Sequence, residues 1–142
     1  MFGSMQRGVN AYAKVGLETS VGAASPHKLI VMLYDGALVA VLSALTNMKA
    51  GHVAAKGEAI SKAIAIIDNG LRAALDKQAG GEIAAGLDSL YEYMSTRLLQ
   101  ANLNNQPELL EEVHKLLTDL RDAWNAIAPQ GAPAAAPSLM SA

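Results

Sequence analysis

The side chains able to do chemistry in this chain are few, and their spacing argues against a reaction. There is no cysteine, so thiol nucleophiles, zinc–thiolate sites and covalent haem attachment are excluded. Three histidines remain. Glu111 and His114 stand at Glu-x-x-His spacing, which puts both on one helix face and is the spacing of di-iron carboxylate bundles. Such a centre needs a second pair and two inward glutamates, and this sequence carries one pair. The apolar seam through Val113 and Leu117 also turns Glu111 and Glu112 toward water. His27 falls in the first turn of a helix and His52 in a loop, so both are expected at the surface. Gly80-Gly81-Glu82 lacks the strand and the Lys-Ser/Thr of a phosphate loop and reads as a helix junction. Ser25 has no His or Asp at triad-like spacing and reads as a cap. Asp35 and Arg97 each sit among apolar residues and are expected to pair across helices. No catalytic residue, metal ligand or cofactor follows, and the chain reads as a non-enzyme.

What must be positioned is therefore apolar surface. Ser25-Pro26 is a helix start, a side-chain cap followed by a residue with preset φ. Beyond it Ile30, Leu33, Ala37, Ala40 and Ala44 make one apolar stripe. Tyr34, Leu38, Val41, Leu45 and Met48 make another, and Gly36 extends the small, apolar surface. One packed face needs one stripe, so this helix is wanted by more than one partner. From Leu29 to Met48 it has the ~20-residue length of a membrane span. Asp35 in its interior costs roughly 2.5–3.5 kcal/mol on insertion scales, and Ser43, Thr46 and Asn47 crowd its far end. No stable membrane insertion is expected. MFGSMQRG has no signal-peptide core, and the absence of cysteine fits a cytoplasmic protein.

A second helix is expected from Val53 to Gln78, on a seam of Ile60, Ile64, Ile67, Leu71 and Leu75. A third should run from Glu82 to Leu103 through Ile83, Leu87, Leu90, Met94, Leu98 and Ala101. Pro107 opens a fourth, carried by Leu110, Val113, Leu117, Leu120, Trp124 and Ile127 to Ala128. Hydrophobic residues make up 51% and aromatics only 4%, a palette for closely approaching helices rather than sheets. The fold class is all-α: an antiparallel up-down four-helix bundle over residues 25–128, preceded by an arm, 1–24, able to form a short helix. Residues 129–142, broken by three prolines, are expected to be a disordered Pro/Ala-rich tail. A net charge of −2, with the basic residues scattered, gives no footprint for nucleic acid. Val9, Tyr12 and Val15 are apolar in an arm too short and glycine-broken to be helical alone, so the arm should dock on the first helix.

Ala24-Ser25-Pro26-His27-Lys28-Leu29-Ile30-Val31-Met32-Leu33-Tyr34-Asp35-Gly36-Ala37 closely resembles the A-S-P-x-x-L-I-x-M-L-Y-D-G-A pattern of the flagellin export chaperones, the FliS family. Ala11-Tyr12 resembles the family's N-terminal A-Y element. The block from Gly80-Gly81-Glu82-Ile83-Ala84 through Leu90-Tyr91, Tyr93-Met94 and Arg97-Leu98 matches in order, as do Ala101-Asn102 and Leu120-Arg121-Asp122-Ala123-Trp124. The similarity covers about residues 8–128. It implies a cytoplasmic four-helix chaperone that binds the C-terminal segment of flagellin, prevents early polymerisation and reaches the type III export apparatus with its client. On that reading Val9, Tyr12, Ile30, Leu33, Leu38 and Val41 contact the partner, while Ser25, Pro26, Asp35, Gly36 and Arg97 are structural. The competing readings are a self-associating structural bundle without a client and a metal- or cofactor-binding bundle. Weak homo-oligomerisation is compatible with the chaperone as well.

Overall fold

A computed structural model describes residues 25–127, and all of its regular structure is helical. The elements are α1 (Pro26–Ala50), α2 (Val53–Ala65) running into a π-helical segment (Ile66–Arg72), α3 (Lys77–Asn104) and α4 (Pro107–Ala126). The expected arm and tail lie outside the described residues.

Each boundary has a local cause. Ser25 Oγ accepts from the Lys28 N–H at 3.1 Å, satisfying one of the amide donors that a helix start leaves without a partner. The second helix does not reach Gln78 as expected. It widens into the π segment and stops at Arg72, because Asp76 Oδ1 accepts from the Ala79 N–H at 3.0 Å and so caps the next helix. That next helix begins at Lys77, before the expected Glu82. Gly81, at φ 55° and ψ −130°, breaks the first turn from the rest, a backbone setting that side chains with a Cβ rarely adopt. The unbroken part of α3 therefore starts at Glu82.

Side-chain pairs fix how the helices run. Lys56 on α2 and Asp68 and Arg72 on its π-helical continuation meet Asn102, Ser95 and Asp88 on α3, rising along one helix as they fall along the other. His27, Asp35 and Lys49 on α1 meet Trp124, Arg121 and Glu111 on α4 in the same opposed order. Neighbours are thus antiparallel, and α1 closes the bundle between α2 and α4.

The core is Leu33, Val41, Ile60, Ile66, Ile67, Leu71, Met94, Leu98, Leu110, Val113 and Leu117, with Ala37, Ala44, Ala63 and Ala101 letting backbones approach. Across the diagonal the hydroxyls of Tyr34 and Tyr91 bond at 2.6 Å. Burial pushes both phenols above their ordinary pKa, so the pair stays protonated. At the base, His27 is buried rather than at the surface. Its ring stacks on Trp124 at 5.0 Å, its Nε2 donates to the Trp124 carbonyl at 2.7 Å, and Trp124 Nε1 donates back to the His27 carbonyl at 3.0 Å. A first-turn position looks peripheral in sequence. Here the end of α4 covers it.

Arg72 ties α2 to α3 through Asp88 at 2.6 Å, and that hydrogen bond holds the Asp88 carboxyl below the usual carboxylate range. A depressed folded-state pKa stabilises the fold above the unfolded pKa, and that stability is lost as pH falls through the lower, folded value. Acid titration of the melting temperature should therefore show a loss beginning near pH ~4. Asp88→Asn should be less stable at neutral pH and show a shallower acid limb. A limb of unchanged slope would assign the acid sensitivity elsewhere.

Candidate partner-binding groove

α1 is apolar nearly all round because two of its sides are used inside the bundle, yet apolar side chains also remain outside. Val39 is 67% exposed and Leu42 47% exposed. The arrangement follows from spacing. Asp35, Leu38, Leu42, Leu45 and Lys49 recur at alternating three- and four-residue steps, which aligns them on one stripe of the helix. On α4, Glu111, His114, Thr118 and Arg121 recur in the same way.

The two stripes face each other, because their ends are joined. Arg121 Nε donates to Asp35 Oδ1 at 2.6 Å, and Lys49 Nζ lies 3.9 Å from Glu111 Oε2. The pairing raises the Arg121 pKa further, first through the hydrogen bond to Asp35, so this guanidinium stays charged throughout. Between these ion pairs the seam of α1 and α4 has two unlike sides, a candidate groove. The α1 wall is apolar: Leu38 and Leu45 rest half-buried on the core, and Leu42 projects beyond them. The α4 wall carries His114 and Thr118, the latter bonded back to the His114 carbonyl at 2.8 Å. Fourteen residues separate Asp35 from Lys49, which is about 21 Å or four turns of helix. A segment fitting this groove is a short amphipathic helix with its apolar face on α1 and its polar face on α4.

Several expectations are corrected by this geometry. Leu33, at 1% exposure, and Val41, at 0%, are core residues and do not line a groove. Both belong to stripes that look available in sequence, but α2 and the bundle interior take them. Ile30 and Leu38 are half-buried at the edge of the core, and Leu38 lies in the groove. Val9 and Tyr12 lie outside the described residues. Asp35 does not pair with Arg97: its partner is Arg121. Arg97 instead donates to Glu112 Oε1 at 2.9 Å and lies 5.5 Å over the Tyr93 ring, with Tyr93 donating to Glu112 Oε2 at 2.6 Å. Arg97 points from α3 to one flank of α4, whereas Asp35 meets the other flank, so α4 stands between them. Hydrogen bonds from Tyr93 and then Arg97 hold Glu112 below the usual carboxylate range, and this residue is not left to water. Gly36 sits where an added Cβ would lie 3.4 Å from Ile66 Cδ1, a close approach of α1 to the π segment. Ser25 and Pro26 hold the start of α1.

Sequence reasoning missed Leu42, Leu45 and Arg121 as groove residues. The signal was the matched three- and four-residue stepping on α1 and α4. Among the described residues no cluster of three or more His, Asp or Glu side chains is arranged to hold a metal ion.

The family model for flagellar protein FliS matches residues 8–131. The flagellar secretion chaperone FliS of Salmonella typhimurium is 54% identical over 123 residues, 87% of this chain and 91% of the relative. That of Escherichia coli is 45% identical over 118 residues, 83% of this chain and 87% of the relative. The flagellar secretion chaperone FliSB of Pseudomonas aeruginosa is 43% identical over 121 residues, covering 85% of this chain and 95% of the relative.

Proposed function

The chain belongs to the FliS family of flagellar export chaperones, which are not enzymes, and from that premise we propose that it binds the C-terminal segment of flagellin in the cytoplasm. Bound there, the segment is kept from polymerising early, and the complex is delivered to the flagellar type III export apparatus. The observation that carries this reading is the groove. An apolar wall that the described helices leave uncovered, beside a polar wall and with an ion pair at each end, suits an amphipathic segment that becomes helical on docking. Ordering such a segment lowers net affinity, so an extended contact that continues over the exposed Val39 is favoured.

The length and apolarity of α1 also meet the requirements of a membrane span. Inserting it would strip the bundle of Leu33, Tyr34, Ala37, Val41 and Ala44, so this helix stays in the bundle. We propose further that the arm carrying Val9 and Tyr12, outside the described residues, docks on α1 in the free protein and rearranges when the client binds.

Calorimetric titration with a flagellin C-terminal segment of ~40 residues tests the proposal. A one-to-one complex is expected, with a negative heat-capacity change and a gain of helix by circular dichroism. Flagellin lacking that segment should not bind. The same titration on a chain without residues 1–17 should give tighter binding, because no arm has to be displaced. Undiminished binding to tail-less flagellin would sink the mechanism. Light scattering that shows a stable oligomer unaffected by the segment would favour self-association instead.

A further inference from the structure

The end of the bundle where α1 turns into α2 holds a buried charge that the groove does not use. Lys56, early in α2, is only 5% exposed. Its Nζ donates to the Asn102 carbonyl at 3.1 Å and to Asn105 Oδ1 at 2.7 Å. Both acceptors are neutral, so hydrogen bonding is met and the charge is not. Among the described residues no carboxylate pairs with it. Neutral acceptors leave the charge itself unmatched, and a carboxylate placed beside it would supply the missing counter-charge.

The sequence contains one acidic residue outside the described stretch, Glu18. Seven residues separate it from Ser25, a reach of roughly 25 Å when fully extended. Lys56 lies beside the last turns of α1, level with Asn47 and Met48 and about 33 Å along the axis from Ser25. Glu18 of the same chain therefore falls short.

Lys56 also lines a cavity with room for a counter-charge. The cavity has a volume of about 80 Å³ and is walled by Gly51, His52 and Val53 of the α1–α2 turn and by Asn105 at the end of α3. That is several times the ~15 Å³ that one water needs. No acidic side chain is among its lining residues. Its wall is stiffened by His52 Nδ1, 3.1 Å from Asn47 Oδ1. The first turn of α2 opens beside it with no side-chain cap, so the helix start adds partial positive charge to that of Lys56.

We propose that this cavity is a binding site for a carboxylate group, with Lys56 as its counter-charge. The carboxylate is carried by an Asp or Glu of a docked polypeptide or by a small free acid. The site is independent of the groove, and its chemistry can be tested without any client.

Amide chemical shifts of the full chain should be followed during titration with sodium acetate, against sodium chloride at matched ionic strength. Acetate should give saturable shifts at residues 51–53, Lys56 and Asn105, and chloride should not. Lys56→Met should lose affinity by about tenfold or more, as expected for one charge-assisted hydrogen bond. Because Lys56 is buried, Val53→Glu gives a second arm at a position 70% exposed. Its tethered carboxylate should occupy the cavity and abolish the acetate shifts, whereas Ala54→Glu, outside the lining, should leave them. A bound flagellin segment that displaces acetate identifies a polypeptide carboxylate as the ligand. Acetate that stays bound beside the segment identifies a small acid. Acetate shifts that do not saturate, or that survive Val53→Glu, overturn the proposal and leave Lys56 only the closing of the last turn of α3.

Discussion

Leu42→Asp should weaken binding of the flagellin C-terminal segment by about 100-fold while shifting the melting temperature by no more than a few degrees. Burying a leucine side chain in an interface contributes roughly 1.5–3 kcal/mol, and each ~1.4 kcal/mol is tenfold in affinity. A carboxylate facing the apolar side of a docked helix adds a desolvation cost on top. Stability is spared because Leu42 is 47% exposed, and surface substitutions away from special features move stability within about 0.5 kcal/mol. Leu38→Asp is a different experiment. Leu38 rests on the core, so the change lowers stability together with affinity. Isothermal titration beside a thermal melt separates the two variants. If Leu42→Asp binds as tightly as the parent chain, the α1–α4 groove is not the docking site.

Leu33→Ala should do the reverse, cutting stability by about 2–5 kcal/mol with little effect on client affinity well below the transition. In a domain of this size that is a fall of roughly 10–25 °C in melting temperature. The reason is enclosure: Leu33 is 1% exposed and lies against Gly70 of the π segment. A Cβ on Gly70 would lie 2.9 Å from Leu33 Cδ2. Gly70→Ala alone should therefore cost about 1–3 kcal/mol by overpacking. In the double variant the new methyl enters the space that Leu33 vacates, so the loss should fall short of the sum by about 1 kcal/mol. Denaturant unfolding of the parent chain, both single variants and the double variant measures this coupling. Strict additivity would show that α1 and the π segment do not share that contact.

The start of α1 was legible in the sequence because Ser25-Pro26 is local chemistry: a side-chain oxygen and a fixed φ act on the next three residues whatever else folds. The apolar seams of α3 and α4 were legible because a helix converts spacing into faces, so Met94, Leu98, Val113 and Leu117 had to share an interior. The end of α2 was misjudged for a related reason. The seam of Leu71 and Leu75 continues the helical period, but Asp76 offers the following amides an acceptor, and that cap ends the run.

Local spacing alone shows that α1 carries more apolar surface than one neighbour can cover, and that the remaining helices are ordinary amphipathic partners. Which part of that surface is left over depends on how the helices pack. Leu33 and Val41 looked as available as Leu38 until α2 and α4 took their sides. The same holds for Asp35. Its partner is Arg121, across the contact between the first and last helices, rather than Arg97. A short loop fixes the register of helices adjacent in sequence, as it does where Arg72 meets Asp88 across the α2–α3 turn. No loop joins α1 to α4. Their register is set by the packing of the whole bundle, and with it the ion pairs that bound the groove.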